Sequence, residues 1–193
     1  MNIDLHVHSA FSDGLLSPEA LCALALQQQV QVLALCDHDT TDGLQPMRMI
    51  AERINRDGHR LTVIPAVELS TGTDGRTHLL GYGVQESNPD LQAAMSQLRA
   101  KRVERGQQMV EALRALGVEI PAQMLPEAET PGMPIGRPHV ARALIRMGVV
   151  NTMEQAFDRY LAEGKPGYVP LEHLSAQQAV SILRRAGAVP VLA

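Results

Sequence analysis

An α/β fold built around a barrel-like sheet is predicted by three features of this 193-residue sequence. Short apolar runs of strand length alternate with amphipathic stretches of helix length. Several of those runs carry a histidine or an acid at or just past their ends. The 45% apolar content, over this length, suffices for one substantial core with an insertion. Parallel strands joined by helices are right-handed crossover units, which build either an open doubly wound sheet or a barrel. Ligand-type side chains gathered at strand ends favour the barrel, whose chemistry collects where parallel strands terminate.

The first strand opens the chain in Ile3-Asp4-Leu5-His6-Val7-His8. Side chains alternate across a strand, so the His-x-His pair aims two imidazoles at the same point in space. Ser17 is then a good N-cap, with Pro18 at the first helical position and Glu19 in the first turn. The apolar stripe of that helix is read as Ala20, Leu21, Leu24 and Ala25. The run from Val30 to Cys36 is a second strand, and it breaks off into Asp37-His38-Asp39-Thr40-Thr41-Asp42. A second helix is expected from Thr41 or Asp42, with Leu44, Met47, Ile50, Ala51 and Ile54 inward, ending before Asp57-Gly58. Leu61 to Val67 forms a third strand closed by Glu68. Thr71 to Arg76 reads as a turn with Asp74-Gly75 at its tip, feeding the strand that bears His78.

The longest helical pattern runs from Pro89 to Leu116. Leu91, Ala94, Met95, Leu98, Val103, Met109, Val110, Leu113 and Leu116 are its buried candidates, and Gly117 its stop. Prolines at 121, 126, 131, 134 and 138 then mark a loop-rich passage before a helical pair, Pro138 to Met147 and Thr152 to Leu161. Residues 88–172 are read as a helical insertion or cap, and residues 1–87 with 173–193 as the sheet-bearing part. Ser175-Ala176-Gln177-Gln178 is a capping box for a last helix through Ala179, Val180, Ile182 and Leu183, stopped by Gly187. Val189 to Ala193 is one more apolar strand.

Composition narrows the function classes. No stretch approaches the roughly 18 apolar residues of a membrane span, and the polar start lacks the basic and apolar regions of a secretory signal. Cys22 and Cys36 read as two isolated core thiols of a cytosolic protein rather than a disulfide framework. A net charge of -4 gives no general drive toward nucleic acid, and three Tyr with two Phe offer little for base stacking. No DNA-binding module is evident, and a small phosphorylated substrate remains open. The local basic run Arg99, Lys101, Arg102 and Arg105 fits a solvated helix face.

Together His6, His8, Asp13, His38, Glu68 and His78 provide four imidazoles and two carboxylates, enough for at least two divalent ions if one carboxylate bridges. A donor set of this mix, without thiolate, favours Mn, Fe or Zn. Paired ions roughly 3.5–4 Å apart are suited to activating water and to stabilising the entering and leaving oxygens of a displacement at phosphorus. Asp37 and Asp39 are either partners that orient imidazoles or ordinary loop carboxylates.

These residues resemble the PHP (polymerase and histidinol phosphatase) family of metal-dependent phosphoesterases. The signature elements are Asp4-Leu5-His6-Val7-His8-Ser9 with Ser12-Asp13-Gly14, Cys36-Asp37-His38-Asp39-Thr40, Val67-Glu68 and Thr77-His78-Leu79. The resemblance covers essentially the whole chain and implies a distorted barrel of about seven βα units. It further implies that His6, His8 and Glu68 hold one metal, that Glu68 bridges to a second also held by His78, and that Asp13 and His38 hold a third. Members continue beyond a strand like Val189–Ala193 with a His-Pro pair and an Asp-x-His segment that supply further ligands. The chain is therefore read as a fragment, incomplete at its C-terminal end.

Within the insertion, Gly136-Arg137-Pro138-His139 and Gly164-Lys165-Pro166-Gly167-Tyr168 resemble the branch containing 3',5'-nucleoside bisphosphate phosphatases and 5'-to-3' exoribonucleases acting on short RNA. Arg137 before a helix start offers a forked cation for phosphate, and Lys165 a second charge. Arg137 and His139 are thus candidate substrate contacts, the alternative being a solvated arginine and a helix-capping histidine. The expected activity is hydrolysis of nucleotide phosphates, with Glu68 and Arg137 as the key catalytic pair. The alternatives are a histidinol-phosphatase-like small-molecule phosphatase and a truncated, non-catalytic binding module.

Overall fold

A computed structural model describes residues 2–72, 77–125, 134–171 and 173–193. The Asp74-Gly75 turn tip and the prolines at 126 and 131 lie outside the described residues. The chain divides into two compact units, residues 1–98 with 173–193, and residues 99–172. Among the described residues no helix is long and apolar enough to cross a membrane.

The first unit is a five-stranded sheet in the order β1-β2-β3-β4-β5, comprising β1 (Asn2–Val7), β2 (Val30–Leu35), β3 (Thr62–Thr71), β4 (Thr77–Tyr82) and β5 (Val189–Leu192). Strands β1, β2 and β3 are parallel, joined through helices α1 (Pro18–Gln27) and α2 (Leu44–Arg56). Strand β4 runs antiparallel to β3, as the turn read between them requires, and β5 runs antiparallel to β4. The reason is chain length. A parallel crossover needs a dozen or more residues, whereas only the short segment between Thr71 and Thr77 joins β3 to β4.

One face of this sheet meets the helices. Odd-numbered residues of the strands, among them Leu33, Leu35, Val67, Leu69 and Leu79, pack with Cys22, Leu44, Met47, Leu91 and Leu183 in the principal core. Helix α1 begins as expected, Ser17 accepting from the Ala20 N–H and Pro18 in the first turn. Its inward face is Pro18, Cys22 and Ala25, however, and Leu24 is exposed. The small Cys22 and Ala25 let α1 approach the sheet closely, and an apolar residue at a rim position is common. Helix α2 starts at Leu44 rather than at Thr41 or Asp42, with Gly43 in the cap position. The capping box at Ser175 and Gln178 opens α6 (Ala176–Arg185) as expected, and Gly187 follows it with φ +75°.

Burial pushes the thiol of Cys22 up to about 11, helped by the charge of Glu19. It pushes Cys36 up to about 12, helped by Glu68 and Asp37. Neither is a thiolate near neutral pH, so native protein at pH 8 should resist iodoacetamide and react at both positions once unfolded in urea. Because only the unfolded thiols ionise near their ordinary value of 9.0, the same shifts predict stability falling as pH rises through that value.

The second unit is helical. It takes the C-terminal part of α3 (Pro89–Ala115), then α4 (Arg137–Arg146), α5 (Met153–Ala156) and a wide π turn at Phe157–Leu161. Met109, Leu113, Val140, Leu144 and Leu161 are wholly buried in its own core. Leu116, expected inside, is 49% exposed, because the helix has ended at Ala115 and the chain turns through Gly117 at φ +80°. Gly106, within α3, is there for space: a Cβ would meet the Ile135 Cβ at 2.6 Å and the Ile135 carbonyl oxygen at 2.9 Å. Alanine would gain about 1 kcal/mol of helix propensity but lose about 1–3 kcal/mol to overpacking. Gly106→Ala is therefore expected to lower the urea midpoint, not to raise it.

Candidate metal centre

The face of the sheet opposite the helices is lined by even-numbered residues, with Ala34, Cys36, Ala66 and Leu80 forming a small apolar cluster beside Tyr82. Period-two alternation puts His6 and His8, Glu68 and His78 on this same face. His6 stands on β1 and His8 just past its end. Beyond β2 the pairing with β3 continues, as the Asp39 N–H donates to the Glu68 carbonyl at 3.0 Å and the Glu68 N–H to the Asp37 carbonyl at 3.2 Å. That extension delivers His38. On β4, His78 lies opposite Ser70 while Leu80 lies opposite Glu68, which makes Glu68 and His78 diagonal neighbours. His78 is at the start of its strand rather than at its end, and the antiparallel direction of β4 is what carries it to the C-terminal end of β3.

Glu68 is the centre of the arrangement. Its Oε2 lies 2.9 Å from His6 Nε2, 3.0 Å from His8 Nε2 and 3.7 Å from His38 Nδ1, and its Oε1 lies 2.7 Å from His78 Nδ1. Asp13 approaches from the loop after β1, 3.6 Å from His8 Nδ1 and 3.8 Å from His38 Nε2. The imidazoles crowd together, ring centroids 5.0 Å apart for His6 and His8, 4.7 Å for His8 and His38, and 4.9 Å for His38 and His78. Three overlapping groups each have ligand atoms within 4.8 Å of one another: His6, His8 and Glu68; His8, Asp13 and His38; His38, Glu68 and His78. Convergent borderline donors sharing one carboxylate suit divalent ions better than they suit each other.

Charge follows geometry. Burial by itself would raise the Glu68 pKa, but hydrogen bonds with His78 and His8, the charge of His38 and a hydrogen bond with His6 overcome it and hold the carboxyl well below the usual range. Burial also disfavours a charged His8, yet its hydrogen bond with Glu68 and the charges of Asp13, Glu68 and Asp37 raise it. The site is therefore a buried carboxylate ringed by imidazoles, for which a metal ion would supply the counter-charge.

Both flanking acids are engaged by serine donors. Asp37, 1% exposed, accepts from the Ser9 N–H at 2.7 Å, the Ser9 hydroxyl at 2.6 Å and the Ser12 hydroxyl at 2.7 Å. Asp39, fully buried, accepts from the Ser70 N–H at 2.9 Å and its hydroxyl at 2.8 Å. Ser9, Ser12 and Ser70 were missed from the sequence. The available signal was that two acids closing a buried strand need buried donors, and serines in the adjoining motifs are the nearest source.

Arg137, His139 and Lys165 belong to the helical unit. The His139 Nδ1 accepts from the Gly136 N–H at 3.0 Å, capping α4. Arg137, at the first position of α4, sets its guanidinium carbon 5.7 Å from the Phe157 ring centroid. Lys165 is exposed in a turn closed by the Tyr168 N–H on its carbonyl. Arg105 departs from the solvated face expected of the basic run. It donates from Nε to the Val169 carbonyl at 2.7 Å, and burial, with Arg137 and Arg102 nearby, brings it down to about 10.

A mixed α/β sheet carrying clustered imidazoles and carboxylates where its strands end is of the barrel-like class that builds sites from strand termini. Within that class, the chain belongs to the PHP domain family, which it matches over residues 4–123. It is 37% identical to the 5'-3' exoribonuclease Rnm of Escherichia coli, over 98% of this chain and 64% of that protein. It is 36% identical to the 3',5'-nucleoside bisphosphate phosphatase of Chromobacterium violaceum, over 100% of this chain and 66% of that protein. The solved structure of an amidohydrolase from Chromobacterium violaceum, with bound sulfate and no metal, superposes with a TM-score of 0.89 at 36% identity, covering 100% of this chain and 66% of that one. The chain thus spans just under two thirds of the length of these relatives.

Proposed function

We propose that this chain carries the metal-binding part of a phosphoesterase acting on nucleotide phosphates, a 3',5'-nucleoside bisphosphate 3'-phosphatase or a 5'-to-3' exoribonuclease on short RNA. The observation that carries the reading is the convergence of four imidazoles on the two oxygens of one buried carboxylate. His6, His8 and Glu68 would hold one divalent ion, Glu68 and His78 with His38 a second, and His8, Asp13 and His38 a third, Mn being the first candidate. Such ions supply acidified water and charge neutralisation at phosphorus. What the protein contributes is an ionised, buried Glu68, four imidazoles converging on it, and a hydrogen-bonded loop that presents Asp13. Arg137, supported by Lys165 and His139, serves as the clamp on a substrate phosphate.

The test is phosphate release from 3'-phosphoadenosine 5'-phosphate and AMP, and release of nucleoside 5'-monophosphates from a short 5'-phosphorylated RNA, with and without Mn²⁺, on this chain and on the longer gene product where the gene continues. His8→Ala is expected to abolish turnover, whereas Arg137→Ala should raise KM by about tenfold or more with little change in kcat. Unchanged rates in both variants would reject the site.

A further inference from the structure

We propose that Asp37 and Asp39, either side of His38, are positioning residues for the metal centre, each bolting a neighbouring ligand-bearing segment to the end of β2. The proposal rests on the metal-centre reading above and goes beyond it, since neither acid is among the proposed ligands.

Asp37 holds the loop after β1. Its three bonds to Ser9 and Ser12 fall between His8 and Asp13, so both candidate ligands stand on a segment fixed from within. The Ser12 hydroxyl held in this way sits 3.5 Å from His8 Nδ1, against the ring itself. Ser9 is also the hub of the loop's own turn, its carbonyl accepting from the Ser12 N–H at 3.0 Å and the Gly14 N–H at 3.1 Å, and its hydroxyl from the Phe11 N–H at 3.1 Å. The start of α2 closes over the clamp, because a Cβ on Gly43 would meet the Asp37 Oδ2 at 2.9 Å and the Ser9 hydroxyl at 3.2 Å.

Asp39 does the same for β3. Its backbone, at φ +53°, leaves the strand so that the carboxylate turns onto Ser70, two residues beyond Glu68 and opposite His78. One tripeptide therefore fixes His38 directly and the carriers of His8, Asp13, Glu68 and His78 through serine. Buried carboxylates with several charge-assisted bonds are rigid anchors, and a displaced ligand carrier costs metal affinity in the way that loss of an outer hydrogen-bond partner does.

The experiment is Mn²⁺ titration of the metal-stripped protein, free ion followed by electron paramagnetic resonance, alongside the thermal midpoint of each metal-free variant. Asp37→Ala and Ser70→Ala are each expected to weaken Mn²⁺ binding by about 10–100-fold. Asp37→Asn, which still accepts from the Ser9 N–H and the Ser12 hydroxyl, should recover to within about threefold of wild type. A role in stability alone would lower the midpoint and leave affinity unmoved, and that result overturns the proposal. Should Asp37→Ala not fold, the double variant Ser9→Ala/Ser12→Ala removes the same hydroxyls, and wild-type affinity there overturns it equally. If Glu68→Ala binds Mn²⁺ as well as wild type does, the metal-centre reading itself fails, a different outcome from failure of the clamps.

Discussion

Glu68→Gln is expected to lower phosphoester turnover by about a thousandfold or more and to remove the stabilisation that Mn²⁺ confers. The side chain is 2% exposed, and both of its oxygens are engaged on opposite sides, Oε2 by His6 and His8 and Oε1 by His78. A carboxylate can therefore share its charge between neighbouring ion positions, whereas an amide offers one neutral oxygen and turns two N–H donors toward ring nitrogens that must present lone pairs. The fold should tolerate the change. Replacing a buried charge by a group of the same shape is often neutral, provided its partners can also discharge, and imidazoles can. Ligand linkage gives about 2.7 kcal/mol of stabilisation at a hundredfold excess over Kd, an upward shift in thermal midpoint for wild type and none for the variant. An equal Mn²⁺ shift in both proteins would remove Glu68 from the centre.

The donors were legible because strand periodicity is short and strict. Two residues apart on one strand means one face, so His6 with His8 could be read directly, and acids or imidazoles closing apolar runs announced His38 and Glu68. His78 was legible as a ligand type at one end of an apolar run fed by a turn. The brevity of the link between Thr71 and Thr77 already required an antiparallel hairpin, in which a strand's first residues meet its neighbour's last. Less legible was anything decided by packing across the fold. Leu24 and Leu116 satisfy a helical stripe yet face outward, since the distance of closest approach and the exact helix end are set by partners remote in sequence. The clamps at Asp37 and Asp39 escaped for the same reason: their donors sit on other segments, Ser9 and Ser12 before them and Ser70 after.

Gly14→Ala tests the loop where it has least freedom. A Cβ there would collide with the His8 carbonyl oxygen and lie 2.6 Å from the His8 carbonyl carbon and 2.8 Å from the Ser9 carbonyl oxygen. All three contacts are backbone, so no rotamer change relieves them, and the segment that carries His8 and Ser9 must itself move. At Gly43 the tight contacts are with side chains, Asp37 Oδ2 at 2.9 Å, Leu35 Cδ2 at 3.0 Å and the Ser9 hydroxyl at 3.2 Å, so a Cβ presses on the clamp without displacing the backbone that carries His8. Gly14→Ala should therefore cost about 2–3 kcal/mol of stability and, by displacing His8 from Glu68 and Asp13 from His38, weaken Mn²⁺ binding by about 10–100-fold. Gly43→Ala should lose less on both counts. Isothermal titration with Mn²⁺ and urea unfolding of the two variants decide the matter. Wild-type affinity in Gly14→Ala would mean that the loop does not hold His8 and Asp13 in the arrangement described.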